Sequence, residues 1–180
     1  MTATNHVSFS SERAIENLVS SYAFLNDDAD IAGLGELFTD AVCTLDGVTA
    51  RGKQEVEALA RNIINVGQDG RSTTSHEITN IMIEVDEVGG TAMGRAYWTL
   101  YQAVSGTPRQ PVLSGRYLDR FERRNGRWRF AERIATTRWQ AAGYPAAASP
   151  RTHIRKGTTA NVIVRRQRNR RAAHPVGTAP

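Results

Sequence analysis

The stretch "SSYAFLNDDADIAGLGELFTDAV", Ser20 to Val42, joins two helical patterns through a cluster of aspartates. Before the cluster, apolar residues recur at helical spacing: Ile15, Leu18, Val19 and Tyr22. After it, a second apolar set follows: Ile31, Leu34, Leu37 and Phe38. The cluster consists of Asp27, Asp28 and Asp30, and aspartate is a preferred residue at the start of a helix. We expect Asp28 or Asp30 to begin the second helix, while Asp27 is a further cap, a solvated charge or an inward-facing group.

The following residues predict one more helix and an antiparallel sheet. "AVCTLDG", Ala41 to Gly47, is typical of a short strand that ends in a turn, and Gly52 to Ile64 has the spacing of a third helix. From His76 onward the pattern is that of strands, with hairpin turns at Gly89-Gly90 and Asn125-Gly126. Helices followed by antiparallel strands predict an α+β fold in which a curved sheet covers the helices.

The charge is divided unevenly along the chain. The 180 residues carry a net charge of +5, but residues 141–180 hold eight of the 23 basic residues and none of the 18 acidic ones, which leaves residues 1–140 at −3. We expect one domain over residues 1–140, then an Ala/Pro-rich linker and a basic, flexible extension over 141–180. The extension lacks the interleaved aromatic residues of a nucleic-acid-binding arm, so we expect no nucleic-acid partner.

Several other classes of function are excluded by composition and motifs. Cys43 is the single cysteine, which rules out an internal disulfide and a cysteine-based metal cluster. There is no pattern of a signal peptide and no apolar run of membrane length, so we expect a cytoplasmic protein. Metal-ligand spacing is absent among the four histidines, and phosphate- or dinucleotide-binding glycine motifs are absent too. We expect neither a metal nor a cofactor.

His76 is the histidine that stands within a clearly predicted element. Strand alternation places it on one face with Ile78, Asn80 and Met82. A histidine there is either exposed or satisfied by its neighbours, or it belongs to a cavity wall, where a neutral imidazole can act as a base. Five aromatic residues on the strands are expected mainly in the core: Trp98, Tyr101, Tyr117, Trp128 and Phe130.

Three segments together resemble a known family. The opening helix pair with its "LFTDAV", the "SHEITN" of residues 75–80 and the "GRYLDRFERRNGRWRF" of residues 115–130 resemble the SnoaL-like branch of the nuclear transport factor 2-like (NTF2-like) superfamily. The resemblance covers about Ser10 to Trp139 and is closest to the scytalone dehydratase and hexachlorocyclohexane dehydrochlorinase group. It implies a cone-shaped α+β barrel, with N-terminal helices packed in a strongly curved mixed or antiparallel sheet, a deep interior pocket and no cofactor.

The same resemblance implies candidate site residues. The family's catalytic dyad, an aspartate at the end of the first helix and a histidine that opens the strand after the third helix, falls on Asp27 and His76. A basic pocket residue falls on Arg133, where it could stabilise an oxyanion. The family's lysine on the first helix falls on Tyr22, which can donate a hydrogen bond but carries no fixed positive charge. Asp27 would then hold His76, and the other two aspartates would start the next helix.

These residues suit a cofactor-independent lyase or isomerase: a dehydratase, a double-bond isomerase or a polyketide-type cyclase. It would remove a proton from a small, apolar, cyclic substrate. The alternative is a non-catalytic protein of the same fold, which binds a small molecule or serves as an assembly subunit like the β-subunit of aromatic-ring dioxygenases. The resemblance also implies a homo-oligomer, with a trimer expected before a dimer.

Overall fold

The structure is a computed structural model, and it describes residues 9–102 and 108–144. The helices there are α1 (Ser11–Asp27), α2 (Ile31–Leu37) and α3 (Gly52–Ile63). The strands are β1 (Val42–Leu45), β2 (Val48–Arg51), β3 (Thr74–Asp86), β4 (Thr91–Gln102), β5 (Gln110–Arg124) and β6 (Arg127–Gln140). None of these three helices is long and apolar enough to cross a membrane. Most of the predicted linker and the whole basic extension lie outside the described residues.

All six strands belong to one mixed sheet with the order β2-β1-β6-β5-β4-β3. Both predicted hairpins are confirmed, because β3 pairs antiparallel with β4 and β5 pairs antiparallel with β6. β1 joins the sheet by parallel pairing with β6, and β2, which the sequence pattern missed, extends the edge by pairing antiparallel with β1. The predicted α+β class is therefore confirmed.

The aspartates between α1 and α2 serve two different helix ends. Asp30 is the N-cap of α2, and its side chain accepts a hydrogen bond from the backbone N–H of Gly33 at 2.8 Å. Asp28 is the exposed C-cap of α1. The expectation that Asp28 helps to start α2 is wrong, because Ala29 adopts a φ of +56° and separates it from the second helix.

The sheet packs around α1. The helix contacts β3 at the edge of the sheet and also β6, which lies three positions away in the strand order. Contact of one helix with strands so far apart fits the curved sheet that the sequence predicted. α2 packs against α3 beside it. The inner surface of the sheet and the apolar side of α1 therefore enclose the core.

The core consists of two clusters of buried side chains with a shared boundary. One cluster lies beneath the helices: Ile15, Val19, Phe38, Ala41, Cys43, Ala50, Val56, Ala92, Phe121 and Phe130. The other lies among β4, β5 and β6: Ala96, Trp98, Leu113, Tyr117 and Ala135. Tyr22, Ile78 and Ile81 pack against both clusters, yet each keeps some accessible surface. The boundary between the clusters is therefore formed partly by side chains that are not fully buried.

A β-bulge in β3 changes which residues face this interior. The pairing with β4 slips just before Met82, and Asn80 there has a φ of +53°. Because one extra residue reverses the alternation, Ile81 is partly buried and Met82 is 56% exposed. The predicted face is therefore correct for His76 and Ile78 and wrong beyond the bulge.

The outer face of the sheet carries exposed apolar side chains. Met82, Met93, Tyr97 and Leu118 are each between 42% and 56% exposed. They come from three adjacent strands, β3, β4 and β5. Large apolar side chains grouped on one surface are typical of a face that contacts another protein.

Candidate active site

Asp27 and His76 meet where the end of α1 reaches the start of β3. Nδ1 of His76 lies 2.7 Å from Oδ1 of Asp27, although 49 positions separate the two residues in sequence. The backbone N–H of His76 also donates to the same carboxylate, at 2.9 Å to Oδ2 and 3.1 Å to Oδ1. The ring Nδ1 and the backbone N–H of His76 therefore hold the Asp27 carboxylate next to the imidazole.

The local chain path explains why both side chains arrive at this point. α1 ends at Asp27, whose carbonyl accepts a hydrogen bond from the backbone N–H of Ser72 at 3.2 Å, in the loop that leads into β3. β3 is an edge strand, so one side of it has no neighbouring strand. The carboxylate of Asp27 accepts a hydrogen bond from the backbone N–H of His76 on that side. The same contacts that join the helix to the sheet thus bring the dyad together.

The dyad leaves one nitrogen available. The His76 side chain is 14% exposed and the Asp27 side chain is 23% exposed. A carboxylate beside Nδ1 favours the tautomer in which Nδ1 carries the proton, which leaves Nε2 as the acceptor. Nε2 has no hydrogen-bond partner among the described residues. Chemically, this arrangement can accept a proton at Nε2 and stabilise the resulting imidazolium.

Tyr22 lies between the dyad and the inner surface of the sheet. Its ring centroid is 6.3 Å from that of His76 and 5.8 Å from that of Tyr117, both with edge-to-face geometry. On another side, the guanidinium carbon of Arg133 lies 4.3 Å from the Tyr22 centroid. Burial, and next the nearby Cys43, raise the pKa of the Tyr22 hydroxyl well above its ordinary value. The hydroxyl is therefore a protonated donor at neutral pH.

Arg133 is held by Asp119, a residue that the sequence analysis did not single out. Nε and Nη2 of Arg133 donate to Oδ1 and Oδ2 of Asp119 at 2.8 Å and 2.7 Å. The two side chains are 0% and 2% exposed. Burial alone would lower the pKa of Arg133, but the adjacent carboxylate more than offsets this effect and raises it. The result is a buried, bidentate ion pair without net charge.

Aromatic rings enclose the remaining surface of this guanidinium. Its central carbon lies 4.0 Å from the ring centroid of Tyr117, 4.3 Å from that of Tyr22 and 4.7 Å from that of Phe130. Nη1 is buried without a hydrogen-bond partner in the described part of the chain. An unpaired buried donor costs about 1–3 kcal/mol, and contact with the ring faces offsets part of that cost. Arg133 therefore meets the dyad through Tyr22 and does not touch it directly.

Sequence reasoning missed Asp119, although the strand pattern contained a signal. Asp119 stands between Tyr117 and Phe121 in the alternation of β5, so a charged side chain occupies an inward position between two aromatic ones. It also did not assign a polar role to Trp98. The Trp98 ring stacks on Tyr117 at a centroid distance of 5.9 Å, and its Nε1 is buried without a partner among the described residues.

The Cys43 thiol also lies near the ion pair. Cys43 stands opposite Arg133 in the parallel pairing of β1 with β6. Burial raises the pKa of this thiol to about 11, so it is protonated at neutral pH. Across residues 9–102 and 108–144, no group of three or more His, Cys, Asp and Glu side chains is arranged to hold a metal ion.

The SnoaL-like domain profile matches residues 7–134. The chain belongs to the SnoaL-like domain family. The matched residues include Asp27, His76, Arg133 and Tyr22, and the resemblance read from the sequence is confirmed. Among curated protein sequences, none is a significant match to this SnoaL-like chain.

Three solved structures illustrate what this SnoaL-like chain is similar to. An NTF2-like protein with a cystatin-like fold from Novosphingobium aromaticivorans is 26% identical, covers 76% of this chain and 85% of its own, and has a TM-score of 0.59. LinA, whose type 2 form is named a hexachlorocyclohexane dehydrochlorinase, is 25% identical over 78% of this chain and 95% of its own, with a TM-score of 0.60. A Novosphingobium aromaticivorans protein provisionally named the β subunit of an aromatic-ring-hydroxylating dioxygenase is 17% identical over 73% of this chain and 91% of its own, with a TM-score of 0.60. These similarities confirm the α+β cone of NTF2-like proteins.

Proposed function

We propose that this protein is a cofactor-independent lyase or isomerase in which Asp27 and His76 remove a proton from carbon in a small, apolar, cyclic molecule. The observation that carries the proposal is the 2.7 Å contact between His76 Nδ1 and Asp27 Oδ1. It orients the imidazole so that Nε2 is left for a ligand. LinA, which is similar to this protein, is named a dehydrochlorinase, and that name supports an elimination activity for the fold.

The proposed first step is proton transfer to His76. Nε2 takes a proton from a carbon next to a carbonyl, the C–H electron pair forms the C=C bond of an enolate, and the carbonyl π electrons move to oxygen. Asp27 stabilises the imidazolium that results. General base catalysis of this kind contributes about 10²–10⁴-fold to the rate. In an isomerase, the imidazolium then returns the proton to another carbon. In a dehydratase, the enolate re-forms its C=O bond, its C=C electrons shift to form a new C=C bond, and the C–O bond of the β-hydroxyl group breaks while the imidazolium protonates that group, so that it leaves as water.

Tyr22 is the proposed donor to the developing oxyanion. Its ring centroid lies 6.3 Å from that of His76, and its raised pKa keeps the hydroxyl protonated at neutral pH. A donor aimed at developing charge in a site of low polarity is worth about 10²–10³-fold. Arg133 supports this role through its contact with the ring face of Tyr22, at 4.3 Å.

The surroundings of the dyad favour a small apolar ligand. Ile78 and Ile81 keep accessible surface at the boundary between the two core clusters, beside Tyr22. Trp98 and Tyr117 form the aromatic side of that boundary. We place the family's interior pocket here, where a cyclic molecule would contact hydrocarbon on most sides and reach Nε2 of His76 at one end.

The proposal is tested with a panel of small cyclic ketones, hydroxyketones and halogenated alicyclic compounds in deuterated water. Proton exchange at carbon is followed by NMR, with a chelator present and no nucleotide or metal added. We expect the wild type to exchange at least one compound and His76→Gln to lose that activity while its thermal unfolding is unchanged. If His76→Gln exchanges an active compound at the wild-type rate, the dyad mechanism is rejected.

A non-catalytic binding or assembly role is the second candidate. It is favoured by the enclosure of Arg133, which is fully buried and paired with Asp119, so that no free cation faces the dyad among the described residues. The dioxygenase β subunit shows that a similar fold is named as part of a larger assembly. In that case, ligands bind with equal affinity to the wild type and to His76→Gln, and no compound of the panel exchanges.

We further propose a homo-oligomer, a trimer first and a dimer second. The support is the exposed apolar group on the outer face of the sheet, at Met82, Met93, Tyr97 and Leu118. Light scattering at micromolar concentration gives the mass of the assembly and so distinguishes a trimer from a dimer. A mass near 19.8 kDa would show a monomer and reject the proposal.

We also propose that the folded domain ends near residue 140 and that the fold does not depend on the basic extension. The described chain continues briefly past β6, where the backbone N–H of Ala141 donates to the carbonyl of Val112 at 2.9 Å. We expect deletion of residues 151–180 to leave the fold intact and to abolish any salt-sensitive binding to polyanions. A truncated chain that no longer unfolds cooperatively would show that the extension is structural.

A further inference from the structure

The charged groups around the dyad are almost fully paired with one another. In the described part of the chain, the fully buried charged side chains are Asp119 and Arg133, and they neutralise each other through two hydrogen bonds. Tyr22 and Cys43 have raised pKa values and are uncharged at neutral pH. The charged group bonded to His76 is Asp27, which His76 already engages with two N–H groups. Among the described residues, a ligand beside His76 therefore finds no unpaired permanent cation and no free carboxylate.

Arg133, the buried cation among the residues that the structure describes, is also shielded from a ligand. Asp119 occupies Nε and Nη2 of Arg133, and the rings of Tyr22, Tyr117 and Phe130 lie against the guanidinium. Nη1 is buried as well. The ring of Tyr22, which retains accessible surface, lies next to both this cation and His76.

We propose that Asp119 makes this site selective for uncharged ligands, such as cyclic ketones, over carboxylates and amines built on the same ring system. The inference takes the location of the site from the proposed function, but it concerns binding and does not require turnover. Asp119 is in this view a specificity-determining residue that acts through Arg133, without touching the ligand.

The physical reason is the cost of moving a charge into this interior. Among the described residues, a carboxylate would enter beside Asp27 and Asp119 with no permanent cation to pair with, and a buried ion without a partner is strongly disfavoured. An amine would find the oxygens of Asp27 already bonded to His76. If Asp119 lost its charge, the guanidinium would act on the ligand space across the Tyr22 ring. At roughly 8 Å and an effective dielectric constant of about 20, one unit charge changes ligand affinity on the order of tenfold or more.

The test compares three ligands that share one carbon skeleton: 1-tetralone, 1,2,3,4-tetrahydro-1-naphthoate and 1-aminotetralin. Dissociation constants are measured at pH 7.5 by ligand-detected NMR with the full chain. For the wild type, we expect 1-tetralone to bind at least tenfold more tightly than either charged compound. For Asp119→Asn, we expect the ratio of carboxylate to ketone affinity to rise about tenfold. Asp40→Asn is the matched control, because it removes the same charge from an exposed pair with Arg129 and should leave the ratio unchanged.

A double variant keeps the proposal testable if Asp119→Asn does not fold. Arg133→Met combined with Asp119→Leu removes both charges, and it should keep the preference for 1-tetralone. Wild-type binding of the carboxylate or the amine that equals or exceeds binding of the ketone overturns the proposal, as does failure of 1-tetralone to bind. An unchanged ratio in a folded Asp119→Asn also overturns it. His76→Ala separates this proposal from the catalytic one, because it should abolish proton exchange and preserve the ligand preference.

Discussion

Two pairs of ionisable side chains each have one member next to the Tyr22 ring, His76 and Arg133, and the two pairs differ in construction. Asp27 and His76 come from a helix end and an edge strand, keep 23% and 14% of their side-chain surface, and leave Nε2 without a partner in the described chain. Asp119 and Arg133 come from directly paired positions on neighbouring strands and are 2% and 0% exposed. A group that exchanges protons with a ligand needs an accessible atom, whereas a group that fixes a structure gains from having its atoms engaged.

The difference extends to how each pair responds to a change in one partner. A dyad at the boundary of the core can lose a charge with little effect on folding, because solvent and backbone donors are close. A fully buried ion pair cannot, since the remaining charge has no other partner. We therefore expect the first pair to control activity and the second to control stability.

The largest effect is expected at the dyad. Asp27→Asn should lower proton exchange by about 10⁴-fold, the loss seen when an amide replaces the carboxylate that orients a catalytic histidine. The amide can favour the wrong tautomer of His76 and cannot stabilise imidazolium. Exchange rates in deuterated water measure the loss, and thermal unfolding should shift little. A variant that keeps more than a tenth of the wild-type rate would contradict the role given to Asp27.

The ion pair should give a large effect on stability. Arg133→Met leaves Asp119 buried and unpaired, so we expect the free energy of unfolding to fall by about 3–5 kcal/mol. Urea unfolding of the isolated protein measures this. Adding Asp119→Leu should recover most of the loss, because apolar side chains then fill the space. If the double variant is no more stable than Arg133→Met alone, the pairing is not what stabilises this part of the sheet.

An intermediate effect is expected at high pH from Cys43, beside the ion pair. Its pKa is raised from 9.0 to about 11 in the folded protein. Below pH 9 the thiol is protonated in both states, and its contribution to stability is fully present. As pH rises from 9 to 11, the unfolded state loses this proton first, so folding stability falls, by on the order of 2 kcal/mol. Urea unfolding of wild type and Cys43→Ala at pH 8, 9, 10 and 11 should show a shallower decline in the variant.

The smallest effect is expected one residue away from the dyad. Asp28 is exposed and is the C-cap of α1. We therefore expect Asp28→Asn to change the rate of proton exchange by less than twofold and the free energy of unfolding by no more than about 0.5 kcal/mol. Because Asp28→Asn removes the same charge as Asp27→Asn, it is the direct control for it. A severe loss of activity in Asp28→Asn would show that the local charge matters more than the contact with His76.

The sequence was sufficient for the helices, both long hairpins and the resemblance that pointed to Asp27 and His76. These features depend on local patterns: apolar spacing in α1, the turns at Gly89-Gly90 and Asn125-Gly126, and a histidine at the start of a strand. The contact between the dyad residues spans 49 positions, and the residues alone left both a surface and an interior role open for each. The family resemblance was needed to choose.

The partner of Arg133 could not be read from the hairpin turn. Pairing of Arg124 with Arg127 next to the turn would, if continued without interruption, place Asp119 opposite Glu132. A bulge between Arg120 and Phe121 shifts the register by one residue and places Asp119 opposite Arg133. The bulge in β3 had a similar effect on the predicted face of that strand. Single inserted residues of this kind depend on packing across the sheet, which no short pattern records.

The bond from the backbone of His76 to Asp27 has a second consequence. β3 is a border of the sheet, and unpaired N–H groups on a border strand offer a template for another chain to add a strand. By accepting the N–H of His76 at 2.9 Å, Asp27 closes this position to intermolecular pairing. Aspartate at this site thus limits edge-to-edge pairing at this position of the border strand, a role that does not depend on whether the dyad is catalytic.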